Sequence, residues 1–434
     1  MTIEGAVGAD PISIDVLITI CACLAKLECD LLWLDGVCII QNDDEDKGWQ
    51  IQNMFNIYKH CKQCLVLPGG LSRLVQITEP TSWIHRAWTL QEAVVPESAK
   101  CLFSWTRGNT NLQSHFPCVL QEVEAGKSAM ADLRWLLMIS LRGEVRVLCP
   151  PTAPWDNANQ EMITVRLLVD THEHGQASAL LGAIDHRGRE GMGNAIWRSA
   201  LTRVAMRPAD TVFSIMGLFG VSLDPLLFSP TDRKGATIAL MQAMLRNGAR
   251  AEWLGAAQRM QINADIPTLP VFPTMGTGGS ALVTTEEGEV PISDLMGDAW
   301  WRLDGAPLGD MDDKGALTMH VKALSIRRDQ QTKADLEVRP EGYAIWDGKP
   351  LGMNVWYTAS SEQEPPFILQ LGRKERYSNG AYPMMQSSRP YLVMLVKGAG
   401  SGSVRNLGYA DVSQEILDLP GWAERKIVIA AAGG

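Results

Sequence analysis

The stretch SWIHRAWTLQEAV, residues 82–94, sets two tryptophans, an arginine and a glutamate close together. If it forms one helix, three- and four-residue spacing places His85, Trp88 and Glu92 on one stripe. Trp83, Arg86 and Leu90 then share another. A carboxylate with an aromatic ring beside it is the material of a site. The same residues can also only pack, with the tryptophans in the core and Arg86 paired to an acid. Other candidates carry less. CKQC, residues 61–64, has the spacing of a redox pair or half a metal site, but no second C-x-x-C accompanies it, so its thiols read as structural. HEH at 172–174 puts its histidines two apart, which on a helix points them to different sides. DMDDKG at 310–315 opens like a calcium loop, yet Val321 stands where the twelfth-position glutamate belongs, so it reads as a turn between strands. GTGGS and GAGSG lack the lysine and hydroxyl of a phosphate loop. No metal site is expected.

The elements around residues 82–94 alternate. Residues 12–27 have helical length and an apolar face. LLWL, residues 31–34, is apolar on both faces and reads as a buried parallel strand ending at Asp35. NDDEDKGWQIQNMFNIYKHC has acids at its front, which suit a helix N-terminus. QCLVLPGG is a second short strand, residues 82–94 the next helix, and AKCLFSW a third strand. This order predicts an α/β domain over 1–110 with a parallel sheet containing 31–34, 64–67 and 100–103. Ligands bind such sheets beyond the carboxyl ends of the strands, where Asp35 lies. Residues 111–260 read as a helical middle region and 261–290 as a linker. ALTMHVKALSI, GMNVWYTA, PFILQLG, RPYLVMLV and RKIVIA predict a β-rich C-terminal domain over 291–434, a sandwich or barrel.

Bulk properties narrow the task. The chain has 434 residues and a formal net charge of −10, with no lysine or arginine block, which argues against nucleic acid as its partner. VLITICACLA, residues 16–25, is too short to span a bilayer and lacks the basic front of a signal peptide. A cytoplasmic protein with no membrane span is expected. The 9 cysteines all fall in the first 149 residues, an odd count that argues for reduced, mostly buried thiols.

LLWLDGVCIIQNDDEDKGWQIQNMFNIYKHC followed by WIHRAWTLQEAV resembles the fungal heterokaryon-incompatibility (HET) domain. The matching positions are Trp33, Asp35, Cys38, Gln41, Gln50, Met54, Ile57, Tyr58, Trp83, Arg86, Trp88, Thr89, Gln91 and Glu92. RVAMRPADTVFSIMGLFGV, residues 203–221, resembles a segment that often follows that domain. No block of the L-S-Y-x-W-G type precedes the first helix, so a gap is expected where that strand would lie. HET domains in turn resemble Toll/interleukin-1 receptor (TIR) domains, which implies a flavodoxin-like parallel sheet. Enzymatic TIR domains cleave NAD with the glutamate of a W-C-x-x-E motif, and WTLQE aligns with it. The resemblance therefore implies a catalytic Glu92 and a substrate-binding Trp88 and Asp35. Trp83, Arg86, Gln91 and Cys38 become structural parts of the motif. It implies NAD or another nucleotide as candidate substrate, no bound cofactor, and a role in nonself recognition and programmed cell death. The competing expectation is a non-catalytic module that docks a protein partner or a second copy.

Overall fold

The computed structural model describes residues 12–40, 42–113, 117–141, 143–148, 160–170, 173–185, 187–188, 192–256, 260–286, 288–296, 301–325, 366–376, 391–400 and 402–431. Ser13 caps the first helix, α1 (Ile14–Lys26), which buries Val16, Thr19, Ile20 and Cys23. It ends in a Schellman turn: Cys29 N–H reaches Leu24 O at 3.0 Å and Glu28 N–H reaches Ala25 O at 3.3 Å. Glu28 occupies the left-handed position there, with φ 52°, where glycine is usual. Its side chain is exposed, so only the backbone strain is at stake. Glu28→Gly is expected to stabilise the protein by about 1 kcal/mol, because it removes a left-handed cost of roughly 1–2 kcal/mol and adds back some unfolded-state entropy. A urea midpoint that falls on this change would contradict the assignment.

The run 31–34, expected as a buried strand, is not one. It is extended but unpaired, Leu31 is 90% exposed, and a short helix α2 (Asp35–Cys38) starts directly after it. Trp33 instead sets its ring edge-on to Tyr58, at 6.0 Å between centroids. An apolar run that lines a cleft has the same composition as a strand core, which is why the pattern misleads. Asp43 caps the next helix, α3 (Asp44–His60), by accepting from Glu45 and Asp46 N–H, as the acidic front predicts.

The first sheet has the order β1-β2-β5-β4-β3-β6-β7. Its strands are β1 (Cys64–Val66), β2 (Ala99–Ser104), β3 (Thr110–Gln113), β4 (Pro117–Glu124), β5 (Ser128–Asp132), β6 (Glu144–Leu148) and β7 (Gln160–Thr164). Only β1 and β2 pair in parallel, with Cys64 opposite Ala99; every other neighbouring pair is antiparallel. The doubly wound parallel sheet is thus replaced by a mixed one. The first part of the 111–260 region, expected to be helical, supplies most of it, around one helix that does form between β5 and β6. Glu144–Leu148 explains this: Val145 and Val147 are buried while Arg146 between them is exposed, a strand period.

Helices follow. Residue 82–94 helicity is reduced to α4 (Thr89–Val94). After it come α5 (Leu133–Ser140), α6 (His174–Asp185), α7 (Met192–Leu201), α8 (Asp210–Met216) and α9 (Arg233–Arg246). Residues 261–290 are not a bare linker: Ile266, Leu269, Ala281 and Val283 are buried, and a three-stranded sheet of β8 (Thr274–Met275), β9 (Ala281–Thr285) and β10 (Gly288–Pro291) lies there.

The C-terminal region is β-rich, as its alternating runs predict. It contains β11 (Trp301–Asp304), β12 (Gly309–Met311), β13 (Leu317–Ser325), β14 (Phe367–Arg376), β15 (Tyr391–Gly400), β16 (Ser403–Val412) and β17 (Ala423–Ile429). Strands β14, β15, β16, β17 and β13 pair in that sequence, and β13 pairs back to β14, which closes a barrel-like ring. DMDDKG is the turn from β12 to β13, with Asp312 Oδ1 accepting from Lys314 and Ala316 N–H. GMNVWYTA lies outside the described residues. One apolar cluster runs from Cys64 to Ile429 and joins this region to the rest of the chain, while a second, of Leu324, Ile368, Val393 and Leu395, belongs to the β-rich region alone. No helix among the described residues is long and apolar enough to cross a membrane.

Candidate active site

The stretch 82–94 breaks in the middle. Trp83–His85 form a 3-10 turn, and α4 starts only at Thr89. The cause is a bridge to residue 204: Ala87 N–H donates to Val204 O at 2.9 Å, and Val204 N–H to His85 O at 2.8 Å. Backbone groups used this way cannot continue a helix. The single-helix stripe therefore does not exist, and the neighbours change. Trp83, not Trp88, sits beside Glu92, and its indole N–H donates to Glu92 Oε2 at 3.1 Å. Trp88 instead gives its N–H to Asp210.

Three further bonds tie this segment to the one at 203–221. Gln91 Nε2 donates to Ser214 O at 2.8 Å. Arg203 Nη1 donates to Arg86 O at 2.9 Å and to Thr89 Oγ1 at 2.6 Å. Thr89 Oγ1 also lies 2.9 Å from Trp83 O and 2.7 Å from Arg86 O. Thr89, Gln91 and Arg203 are all buried. The two sequence blocks that looked separate are thus one buttressed unit. Arg203 and Asp210 are the residues that sequence reasoning passed over; the only signal was the second block itself.

The unit opens on a cleft of about 870 Å³. Glu92 lines it together with Asp35, Tyr58, Trp83 and Arg86, all of which act on or feel its carboxyl, and Trp33, Cys29 and Cys61 line it too. The outer wall is the unpaired segment 30–34, and the inner wall is β1. Asp35 is exposed, with Oδ1 accepting from Gly36 N–H at 2.7 Å. Arg86 is exposed and faces the cleft, so it is not the buried ion-pair anchor that the stripe suggested. Trp88 does not line the cleft. Cys38 is exposed, with Sγ accepting from Leu34 N–H, and Gln41 lies outside the described residues.

Burial raises the Glu92 carboxyl above its ordinary range, and Asp35 adds to this, while the Trp83 hydrogen bond, Arg86 and Arg203 pull the other way. Tyr58 is raised well above its usual value, by burial first and then by Glu92. The second carboxylate oxygen, Oε1, has no hydrogen-bond partner among the described residues. A carboxylate fixed at one oxygen and free at the other can accept a ligand hydroxyl or face a developing cation.

Residues 12–76 match the heterokaryon incompatibility protein (HET) family model. The resemblance read from the sequence is shown for that stretch. It spans α1, α2, α3 and β1, so the HET match supplies Asp35, Tyr58 and the outer wall of the cleft and ends before Trp83. No curated protein and no solved structure matches the chain.

The remaining motifs stay structural. Cys64 and Cys61 thiols are both pushed up by burial, and Cys61 Sγ lies 3.1 Å from Tyr58 O. Of HEH, His172 lies outside the described residues, while Glu173 binds His85 Nε2 at 2.8 Å and pins the 3-10 turn to α6. Among the described residues no group of three or more His, Cys, Asp or Glu is arranged to hold a metal ion.

Proposed function

We propose that this protein works in a heterokaryon-incompatibility type of response, and that its cleft binds NAD and cleaves the nicotinamide–ribose bond with Glu92 as the essential carboxylate. The observation that carries this reading is the free oxygen of Glu92 on the wall of the cleft, with Asp35, Tyr58 and Arg86 around it. A cleft of about 870 Å³ falls within the roughly 300–1,000 Å³ of small-molecule sites. When the C–N bond breaks, its electron pair leaves with nicotinamide and positive charge builds on the ribose ring. A carboxylate next to that ring stabilises the charge, as in glycoside hydrolysis. Water then adds to the ribose carbon and loses a proton, giving ADP-ribose, nicotinamide and one proton. Arg86, exposed at the cleft, suits a phosphate oxygen, and the Trp33 ring suits a flat base.

The chemistry needs Glu92 ionised. Because burial raises its carboxyl, activity should climb with pH through a midpoint above the ordinary carboxylate range. Purified full-length protein incubated with NAD across pH 4 to about 8 tests both points. Free nicotinamide with such an acid limb is expected; none at any pH would sink the reading. A second reading, docking of a protein partner or a second copy, draws on exposed apolar side chains: Leu31, which lines the cleft, at 90%, and Trp49 on α3 at 58%. Under that reading a cell-death output would survive Glu92→Gln.

A further inference from the structure

We propose that Arg203 is a positioning residue of this site: it fixes the segment that carries Trp83, Arg86 and Thr89, and its buried charge favours the ionised form of Glu92. The proposal rests on Glu92 being the site carboxylate. It concerns a residue outside the HET match and not among those that line the cleft.

The starting observation is an arginine with no surface and no acid. Arg203 is fully buried. Among the described residues no carboxylate lies within ion-pair distance of it. Arginines at this depth are almost always paired, since an unpaired buried charge is strongly destabilising. Nη1 is used on Arg86 O and Thr89 Oγ1, and Nη2 is buried with no hydrogen-bond partner. The guanidinium carbon lies 5.9 Å from the centre of the Trp83 ring. The N–H of that same ring holds Glu92 Oε2. One indole thus touches both charges, the Arg203 guanidinium near its ring and the Glu92 carboxylate at its N–H, and Trp83 and Glu92 both line the cleft.

The groups that act on Glu92 come from every side. Asp35 comes from α2, Tyr58 from α3, Cys64 from β1, and Trp83 and Arg86 from the connector before α4. Arg203 comes from the turn after α7. Of the two cations, Arg86 is exposed and its field is screened by water. Both pull the Glu92 carboxyl down, Arg86 more than Arg203, and Arg203 does so from a fully buried position through packed protein. The coupling is reciprocal: burial lowers the guanidinium to about 9, and Glu92 opposes that drop. A fold that only needed to hold the Arg86 carbonyl and the Thr89 hydroxyl could do so with a neutral donor. A charged donor at this position makes sense if the charge itself is used.

The full chain, labelled with carboxyl-¹³C glutamate, allows the Glu92 midpoint to be read by NMR titration, with Glu92→Gln assigning the signal. Arg203→Met keeps the length of the side chain and removes the charge. It should raise the Glu92 midpoint by about 0.3 unit or more, a twofold or greater loss of acidity. Arg203→Lys should recover most of the shift. The acid limb of nicotinamide release should move with it. A folded Arg203→Met protein with an unchanged midpoint overturns the proposal. If Arg203→Met does not fold, the wild-type protein decides: the Arg203 guanidinium carbon should titrate with the Glu92 midpoint, and a flat signal overturns the proposal. The NMR arms need no turnover. A shifted midpoint with no nicotinamide release therefore removes the NAD reading and keeps the role of Arg203, while release with an unshifted midpoint does the reverse.

Discussion

At pH 7, Glu92→Gln is expected to cut nicotinamide release by about 10²- to 10³-fold and to leave the melting temperature unchanged or slightly raised. The first half follows from removing charge at the reacting centre. The second follows from the direction in which burial moves this group. A carboxyl whose midpoint is raised in the folded protein binds more protons folded than unfolded, across the window from its ordinary value up to the raised one. Stability then falls as pH rises through that window, and the ionised form is a burden on the fold at neutral pH. Glutamine has the shape of the neutral acid and does not carry that burden. Glu79 is the contrasting case. Its bond with Arg73 lowers its carboxyl, so its contribution is present above the ordinary value and is lost as pH falls through the lowered one. If Glu92 were a structural ion-pair partner it would behave like Glu79, and Glu92→Gln would melt lower at pH 7. Melting curves at pH 4 and pH 7 distinguish the two: the gap between variant and wild type should close toward acid, where both side chains are neutral. A loss of several degrees at pH 7 with full nicotinamide release would make Glu92 a packing residue. Residues that cost stability where they stand are what a site predicts and a core does not.

How much of this could be read from residues alone depends on what kind of signal each feature left. The acid-fronted helix α3, the parallel pair β1 and β2, and the C-terminal strands β13 to β15 and β17 carry local signals: capping acids, a short apolar run with a Pro-Gly stop, and two-residue alternation. Residues 31–34 carry an apolar run too, but whether such a run is paired depends on a neighbour that local pattern does not reveal. Within 111–260 the amphipathic run MADLRWLLMISL carries a helical signal, and one helix, α5, does form there. EVRVL and VLQEVE carry two-residue alternation, but over runs of five and six residues, too short to mark strands beside a helical neighbour. The site shows the same division. Glu92 and Asp35 could be singled out by type and motif, and they do line one cleft. Which tryptophan stands next to Glu92 could not be singled out, because the helix is broken by a backbone bridge to Val204, more than a hundred residues away in the chain. Spacing rules hold within an element, and the element boundary here is set by a tertiary contact.

That boundary makes the sharpest contrast available between the two tryptophans. Trp83→Ala is expected to destabilise the protein by about 3–5 kcal/mol, the usual range for emptying a buried tryptophan site. Trp83 is 2% exposed and sits between Arg203 and Glu92, so the cavity would also strip a cation of its ring and a carboxylate of its donor. Against a typical total of about 5–15 kcal/mol, this brings the fold near its limit, and poor soluble yield at 37 °C is the expected first sign. Trp83→Phe separates packing from chemistry. It keeps a six-membered aromatic ring and removes the five-membered ring with the N–H that favours the ionised form of Glu92. Its loss should raise the Glu92 midpoint and push the acid limb of nicotinamide release upward, at a stability cost of about 1–3 kcal/mol for the unpaired oxygen. Trp88→Phe should do neither. Trp88 is only half-buried and gives its N–H to Asp210, so its loss frees a different carboxyl, away from the cleft. A single-helix stripe through residues 82–94 requires the opposite result, with Trp88→Phe moving the acid limb and Trp83→Phe leaving it in place. Two pH–rate profiles, one for each phenylalanine variant, therefore decide which indole belongs to the site.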